Sequence, residues 1–262
     1  MTGTHSAAEI QKLAHCLAIT PDQLAMVADV PAADLRRLRK QIDAALFEVD
    51  KHLFHRIAGL SKVIPIALAA KVTEFTLPPL LAARTAEVIE PAKAAEMVNR
   101  LSLGYLADVS AALDASRAPH VIKHIPPDTV GRVGAELARR GEWVVIGGFV
   151  AVVTHDALRA TVAEFSGEQL LHIGFVLEDT SRLDEVTDLL TDAQLEQMLD
   201  AGREKDLWAE LDEVLSYLSP ARLKRIADLF AGAPQDAHAA AADAVARGVF
   251  GAESYAKLTG TG

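Results

Sequence analysis

The stretch from residue 78 to residue 137 repeats with a period of twelve residues, and this period decides the fold class. Its five blocks are PPLLAARTAEVI (78–89), EPAKAAEMVNRL (90–101), SLGYLADVSAAL (102–113), DASRAPHVIKHI (114–125) and PPDTVGRVGAEL (126–137). Apolar or small residues recur at places 5, 8, 9 and 12 of each block, as Ala94, Met97, Val98 and Leu101 do in the second block. Because this spacing puts four side chains on one helical face, each block is predicted to be one short amphipathic helix.

The same period continues to residue 230, with a shift of four residues at 138–141. Helix-start signals stand at the block edges. Ser166 and Thr191 are each followed three residues later by Gln, which indicates capping boxes, and Pro91 stands where a first-turn proline costs no hydrogen bond. No helix of this length buries its apolar face alone, so successive helices are expected to pack as hairpins that stack. We predict an all-α solenoid of at least about ten helices, many of roughly 8–13 residues, without a sheet.

Three segments are predicted along the chain. An N-terminal helical segment covers 1–60, the helical-repeat superhelix covers 61–231, and an Ala-rich tail that is partly disordered covers 232–262. The chain has 262 residues, half of them apolar, which is ample material for a buried core.

Composition restricts the class of function. The net charge of −10 disfavours nucleic-acid binding, which needs a basic surface. Cys16 is the only cysteine, so an internal disulfide is excluded and a reducing compartment is expected. The N-terminus does not read as a secretory signal, and the longest uncharged stretch, 143–154, falls short of the ~20 residues of a membrane span. We therefore expect a soluble, cytoplasmic protein without membrane insertion. No phosphate-binding loop, hydrolase or metal motif occurs, so neither a cofactor nor a metal is expected.

The plan of short helices opened by Pro, Asp or Glu, as in EPAKAAEMVNRL and IPPDTVGRVGAEL, resembles a known family. It is similar to the intracellular N-terminal superhelical domain of MgtE-type magnesium transporters, over about 78–230. The resemblance implies a right-handed helical superhelix. We expect it to stand alone, without the paired nucleotide-binding-type domains and the channel of the transporters, so transport is not implied and the ligand stays open.

Two blocks break the amphipathic rule. Places 7 and 11 lie opposite the apolar face and should be polar, yet the blocks 142–153 and 166–177 are apolar nearly all round. Their outer faces should therefore meet something besides their neighbours in the stack. In helical hairpins, blocks two apart belong to one layer. Down that layer, places 7 and 11 hold Glu96 and Arg100, then His120 and His124, then Gly148 and Val152, and then His172 and Val176.

These places could line a pocket that is mostly apolar, with a few polar groups at its edge and a glycine floor. The candidate ligand-binding residues are Trp143, Gly147, Gly148, Val152, His172, Val176 and Arg100. The candidate catalytic residues are His172, His120, His124 and Glu96.

Simpler interpretations stay open beside the pocket. The N-terminal helices or the tail could cover the same face as internal core, or two copies could meet there as a homodimer. His120 and His124, like His52 and His55, could be solvated surface groups, and His172 could be a neutral core histidine. The basic segment 19–42 could be a helix-turn-helix, although an ordinary packed hairpin is favoured.

Two functional classes follow from this pattern. A non-catalytic helical-repeat protein that binds a protein partner or an apolar small molecule comes first, because such repeats present continuous surfaces. The alternative is a cofactor-independent lyase, hydratase, isomerase or hydrolase that uses histidine acid–base chemistry on an apolar substrate.

Overall fold

The computed structural model describes residues 2–60, 64–177 and 179–260 of the 262-residue chain. Within these ranges every regular element is an α-helix or a 3-10 helix, and no strand occurs. The predicted all-α class is therefore confirmed. None of the helices described is both long enough and apolar enough to cross a bilayer.

The described ranges hold seventeen α-helices, and most of them have 8–13 residues. The first ten are α1 (Thr2–Leu17), α2 (Ala32–Leu60), α3 (Ile66–Thr76), α4 (Pro79–Ala86), α5 (Pro91–Val98), α6 (Leu103–Ala112), α7 (Pro119–Ile122), α8 (Pro127–Arg139), α9 (Trp143–Val150) and α10 (His155–Val162). The others are α11 (Gly167–Phe175), α12 (Leu183–Leu189), α13 (Asp192–Glu204), α14 (Trp208–Tyr217), α15 (Pro220–Ala231), α16 (Gln235–Ala246) and α17 (Ala252–Thr259). Short 3-10 helices cover Pro21–Val27, Ala115–Arg117 and Thr180–Arg182.

The chain divides into two compact units. Unit 1 comprises Met1–Arg36 and Phe165–Gly262, and unit 2 comprises Arg37–Glu164. This division differs from the three predicted segments, because α1 packs on α14 instead of belonging to a separate N-terminal part. The Lys12 side chain of α1 also donates a hydrogen bond to the backbone carbonyl of Leu177. Such contacts join residues far apart in sequence, and the twelve-residue period cannot predict them because it relates only nearby residues.

In unit 2 most helices from α3 to α10 pack mainly on the second helix along the chain, whereas α9 packs mainly on its neighbour α8. Helices α4, α6, α8 and α10 contact one another in that order. Helices α3, α5 and α7 form a second series, which reaches α9 through the 3-10 helix Ala115–Arg117. Consecutive helices thus alternate between two layers, as stacked hairpins do. The handedness of a superhelix stays a prediction.

In unit 1 the tail is helical as far as the structure describes it, instead of partly disordered as predicted. Helix α16 packs on α13, and α17 packs on α14, α15 and α16. Ala237, Ala241 and Ala244 are buried on one face of α16. Their small side chains allow close packing, and alanine is the best helix former, so this segment is held both by its own propensity and by its contacts.

The predicted helix-start signals form in the structure. Ser166 and Thr191 each accept a hydrogen bond from the backbone N–H of the Gln three residues on, whose side chain in turn accepts from the backbone N–H of the capping residue. Both predicted capping boxes are therefore confirmed. At the start of α5, Pro91 occupies the first turn as predicted.

Block 114–125 departs from the expected single helix. It forms the 3-10 helix and the four-residue α7. The side chain of Asp114 accepts a hydrogen bond from the backbone N–H of Ser116 at 3.0 Å, which fixes a tight turn. Pro119 then has no N–H to donate to a continuous helix, so the block splits at this residue.

A longer repeat of elements also runs through the second half of the chain. Five features follow one another in the same order twice. They are a 3-10 helix, a short helix, a thirteen-residue helix, a residue with left-handed backbone conformation and a helix that begins with Trp. The left-handed residue is Gly141 in unit 2 and Asp206 in unit 1, and the two Trp-led helices are α9 and α14. In both 3-10 helices an Asp side chain accepts from the backbone of the Ser two residues on. Each unit therefore contains the same local sequence of helices.

Candidate functional site

The predicted layer is present in unit 2, where α5 packs on α7 and the 3-10 helix beside α7 packs on α9. Glu96 and Arg100 are exposed, with Arg100 Nη2 3.1 Å from Glu96 Oε1. His120 and His124 are exposed as well, and His124 Nδ1 lies 2.7 Å from the backbone oxygen of His120. Both pairs thus make their contacts within their own blocks, as solvated surface groups commonly do.

Helix α9 is covered on all sides to some degree. None of its residues is exposed, as expected for a helix that is apolar nearly all round. Gly147 is buried, whereas Trp143, Gly148 and Val152 are half-buried. A Cβ atom on Gly148 would meet no atom within 4 Å. The room predicted at Gly148 is therefore present in the structure.

His172 and Val176 belong to unit 1. The Nδ1 atom of His172 is 3.9 Å from Oε1 of Glu210 on α14, and the His172 side chain is 26% exposed. Val176 is 1% exposed, so its side chain lies in a packed core and not on an open surface. Directly after it, the Leu177 carbonyl accepts a hydrogen bond of 3.0 Å from Nζ of Lys12. These contacts favour the internal-core interpretation for Val176.

In unit 2 the helix α2 covers part of α5 and α7. Ala58, near the end of α2, packs in a buried cluster with Ile89, Ala94 and Val121. This cluster lies against α5 and α7, which are members of the predicted layer. The pocket predicted around Gly148 and His172 stays a prediction.

A cleft that the sequence pattern does not predict lies where α2 meets the turn between α4 and α5. Its volume is about 390 Å³, which falls within the range of about 300–1,000 Å³ typical of small-molecule sites. Ala58, Val88 and Ile89 form what we call its apolar wall. The polar rim consists of His55, Glu90 and Lys93, and Gly59 completes the lining.

The polar rim lies at the N-terminus of α5. Glu90 is the residue before the helix, but its side chain makes no capping hydrogen bond. Its carboxylate is exposed instead, as is His55, and Lys93 is half-buried. A Cβ atom on Gly59 would meet no atom within 4 Å, so the missing side chain keeps the cleft open on this side. The cleft thus combines an apolar surface with a carboxylate, an imidazole and an ammonium group.

Glu87, a buried acidic residue, directly precedes Val88 of the apolar wall. The Glu87 side chain is 1% exposed, and its Oε1 accepts a hydrogen bond of 2.9 Å from Nη1 of Arg84. Its Oε2 is buried and makes no hydrogen bond. Burial raises the pKa of the Glu87 carboxyl, and the Arg84 charge opposes that rise. Burial of the Glu87 carboxylate therefore carries an electrostatic cost, which the ion pair with Arg84 reduces.

The signals for the cleft were weak in the sequence. The position of His55 opposite an apolar face is typical of a surface histidine, and Glu90 followed by Pro91 indicates only a helix start. The cleft arises because residue 55 and residue 90 meet, and no periodic pattern pairs positions so far apart. The missing capping bond of Glu90 is likewise visible only in three dimensions.

Unit 1 contains a second concentration of charge, which is buried. Oε1 of Glu9 lies 3.2 Å from Nζ of Lys12 and 3.0 Å from Nε of Arg36. Glu9 and Lys12 are 1% and 3% exposed. This network joins α1 to the start of α2. The segment 19–42 accordingly packs on α1 through Arg36, which agrees with the favoured packed hairpin, although its first part is the 3-10 helix Pro21–Val27.

Among the described residues, no group of three or more His, Cys, Asp or Glu side chains could hold a metal ion. In comparisons with known proteins, no family model, curated protein or solved structure matches the chain. The resemblance to the superhelical domain of MgtE-type transporters therefore stays a prediction.

Proposed function

We propose that this chain is a non-catalytic helical-repeat binding protein, and that the cleft of unit 2 binds a small molecule with an apolar body and a polar end. The observation that carries the proposal is the composition of the cleft, in which the apolar wall faces the same space as the polar rim. This combination is the usual one for small-molecule sites, where apolar contact supplies affinity and a few polar groups fix orientation.

The size of the cleft determines the expected affinity. Burial of roughly 200 Å² of apolar ligand surface contributes about 5 kcal/mol at ~25 cal/mol per Å². Association costs about 4–15 kcal/mol in lost freedom. The apolar wall alone therefore does not hold a ligand tightly, and hydrogen bonds from the polar rim must add to it. We expect affinities in the micromolar to millimolar range for simple probes.

Two fluorescent probes test the proposal. Anilinonaphthalene sulfonate has an apolar aromatic body and an anionic end, and phenylnaphthylamine has a similar body without the charge. Both should become more fluorescent on binding the folded chain. The ratio of their dissociation constants reports whether Lys93 and the N-terminus of α5 outweigh the Glu90 carboxylate.

Three glycines provide matched variants, because a Cβ atom on Gly59, Gly104 or Gly148 would meet no atom within 4 Å. Gly59→Leu places a side chain in the cleft and should weaken both probes at least ~10-fold. Gly104→Leu adds the same side chain elsewhere in unit 2 and should leave binding unchanged. Thermal unfolding should show that both variants stay folded.

Gly148→Leu separates the cleft from the face predicted from the sequence. Loss of binding in Gly148→Leu with normal binding in Gly59→Leu would move the ligand to that face and overturn the assignment to the cleft. Normal binding in both variants would place the probe outside both the cleft and that face and would overturn the assignment to the cleft. Absence of probe binding to the wild-type chain would contradict the binding proposal itself.

A further inference from the structure

Two groups of opposite charge lie next to each other on the rim of the cleft. Glu90 directly precedes α5, Lys93 belongs to its first turn, and both line the cleft. Residues three apart are neighbours on a helix surface. Among the contacts of the described residues, however, no ion pair joins Glu90 to Lys93, and the Glu90 side chain makes no capping hydrogen bond. A carboxylate and an ammonium group therefore border the same space without pairing with each other.

The apolar wall beside these charges is held in place by the packing behind it. Ala58 and Ile89 are 9% and 8% exposed, and they belong to one buried cluster with Ala94 and Val121. Val88 is half-buried and packs against the same cluster. Side chains that are already ordered lose little further freedom when a ligand binds. The wall therefore offers a preformed contact for an apolar group next to the two charges.

We propose that the ligand of the cleft is a free amino acid with an apolar side chain, bound as a zwitterion. The Glu90 carboxylate accepts hydrogen bonds from its α-ammonium group, and the Lys93 ammonium, which has three N–H donors, donates to its α-carboxylate. The apolar side chain of the ligand lies against the apolar wall, and His55 on the rim offers a ring nitrogen to the polar end. This inference rests on the proposed function of the cleft and specifies its class of ligand.

The two rim charges discriminate between classes of polar end. Lys93 would attract a carboxylic acid that has no amino group, but Glu90 would repel it, and an amine without a carboxylate would experience the reverse. Attraction and repulsion at similar distances largely cancel, so ligands with a single charge gain little from the rim. A zwitterion pairs with both charges at once, and the like-charge contacts act against its competitors.

The size of the cleft agrees with a ligand of this class. Its volume of about 390 Å³ is near the lower limit of about 300–1,000 Å³ for small-molecule sites. The three residues of the apolar wall are aliphatic and present no ring for aromatic stacking. L-Leucine, with a branched aliphatic side chain, is therefore a suitable probe.

Ligand-observed NMR titrations of the full chain with L-leucine and three related compounds test the proposal. Isocaproate is leucine without the ammonium group, isopentylamine is leucine without the carboxylate, and glycine lacks the apolar side chain. L-Leucine should bind with a dissociation constant in the millimolar range or below. Each of the other compounds should bind at least ~10-fold more weakly, because each loses one of the three contacts. Equal affinities for all of them would overturn the proposal.

Two variants that remove one rim charge each should change the preference for these compounds in opposite directions. Glu90→Gln should weaken L-leucine binding at least ~10-fold and strengthen isocaproate binding, because the repelling carboxylate is gone. Lys93→Gln should weaken L-leucine binding and strengthen isopentylamine binding. Glu164→Gln makes the same change as Glu90→Gln at an exposed position of unit 2 outside the cleft lining and should leave binding unchanged. Circular dichroism should show equal helix content in all variants.

The outcomes separate this inference from the proposed function. Equal effects of Glu90→Gln and Glu164→Gln would overturn the zwitterion assignment, and so would a loss of both L-leucine and isocaproate binding in Glu90→Gln. Suppose that L-leucine does not bind, while phenylnaphthylamine binds the wild-type chain and is lost in Gly59→Leu. That result would overturn this inference and leave the proposed function intact. If neither L-leucine nor the fluorescent probes bind, both proposals are wrong.

Discussion

Two glycine substitutions should change stability in opposite directions. Gly167 is the first residue of α11 and is buried against α13. A Cβ atom there would lie 2.3 Å from the backbone carbon of Gln197 and 2.4 Å from the backbone nitrogen of Met198. These atoms belong to a helix backbone and cannot rotate away as a side chain can. Gly167→Ala therefore requires α11 and α13 to move apart, whereas Gly148→Ala adds a methyl group in open space.

The magnitudes follow from these contacts. Overpacking of a core costs about 1–3 kcal/mol and occasionally more, and contact with backbone atoms places Gly167→Ala at the upper end of that range. The separation of α11 from α13 would also strain the hydrogen bond of 3.3 Å from Gln194 Nε2 to the Phe165 carbonyl. Gly148 lies inside α9, where replacement of glycine by alanine stabilises a helix by about 0.5–1 kcal/mol.

Calorimetry and thermal unfolding monitored by circular dichroism check these values. At about 2–4 °C per kcal/mol for a chain of this size, Gly167→Ala should lower Tm by roughly 4–10 °C, and Gly148→Ala should raise it by a few degrees. Because the chain has two compact units, the two variants need not shift the same part of the transition. An unchanged or higher Tm for Gly167→Ala would refute the close approach of α11 to the α13 backbone.

Two further predictions concern buried charges. Lys12→Met should lower the free energy of unfolding by about 3–5 kcal/mol in urea titrations, because it removes one partner of the buried Glu9 carboxylate. Arg36→Met, at a side chain that is 47% exposed, should lower it much less. Equal losses in the two variants would contradict this interpretation of the network. Glu87→Gln should gain stability relative to the wild-type chain as pH rises above 4.5, because burial raises the Glu87 pKa above that ordinary value and the unfolded chain therefore loses this proton first. Urea titrations from below pH 4.5 to neutral pH measure the difference between the two chains, and a difference that does not change with pH would argue against the burial effect.

The fold class could be predicted because its signals are local. A twelve-residue period reports which side chains share a helical face, and the residues around Ser166 and Thr191 specify their helix starts without help from distant parts of the chain. The same locality limits the prediction within block 114–125. There the side chain of Asp114 and the missing N–H of Pro119 compete with the periodic signal and divide the block.

The candidate site could be predicted only in part, because the period shows that a face must be covered but not what covers it. The prediction that α9 and α11 are buried on more than one side agrees with their lack of exposed residues. The period predicts Val176 at a pocket, yet its side chain is buried beside the Leu177 carbonyl, which Lys12 of α1 contacts. The period does not indicate the cleft for the same reason, since the cleft depends on a contact between α2 and the turn before α5.

The repeated order of helices allows equivalent positions of the two units to be compared. Five residues after Trp143, the first residue of α9, stands Gly148, and five residues after Trp208, the first residue of α14, stands Glu213. Glu213 is 7% exposed, on a helix that packs against α1, whereas a Cβ atom on Gly148 would have open space around it. The same local order of helices therefore carries a buried carboxylate in unit 1 and a position with room for a side chain in unit 2. The two units share the order of their helices but differ in side chains. Binding should therefore depend on the positions where the side chains of the two units differ, and not on the helix order that they share.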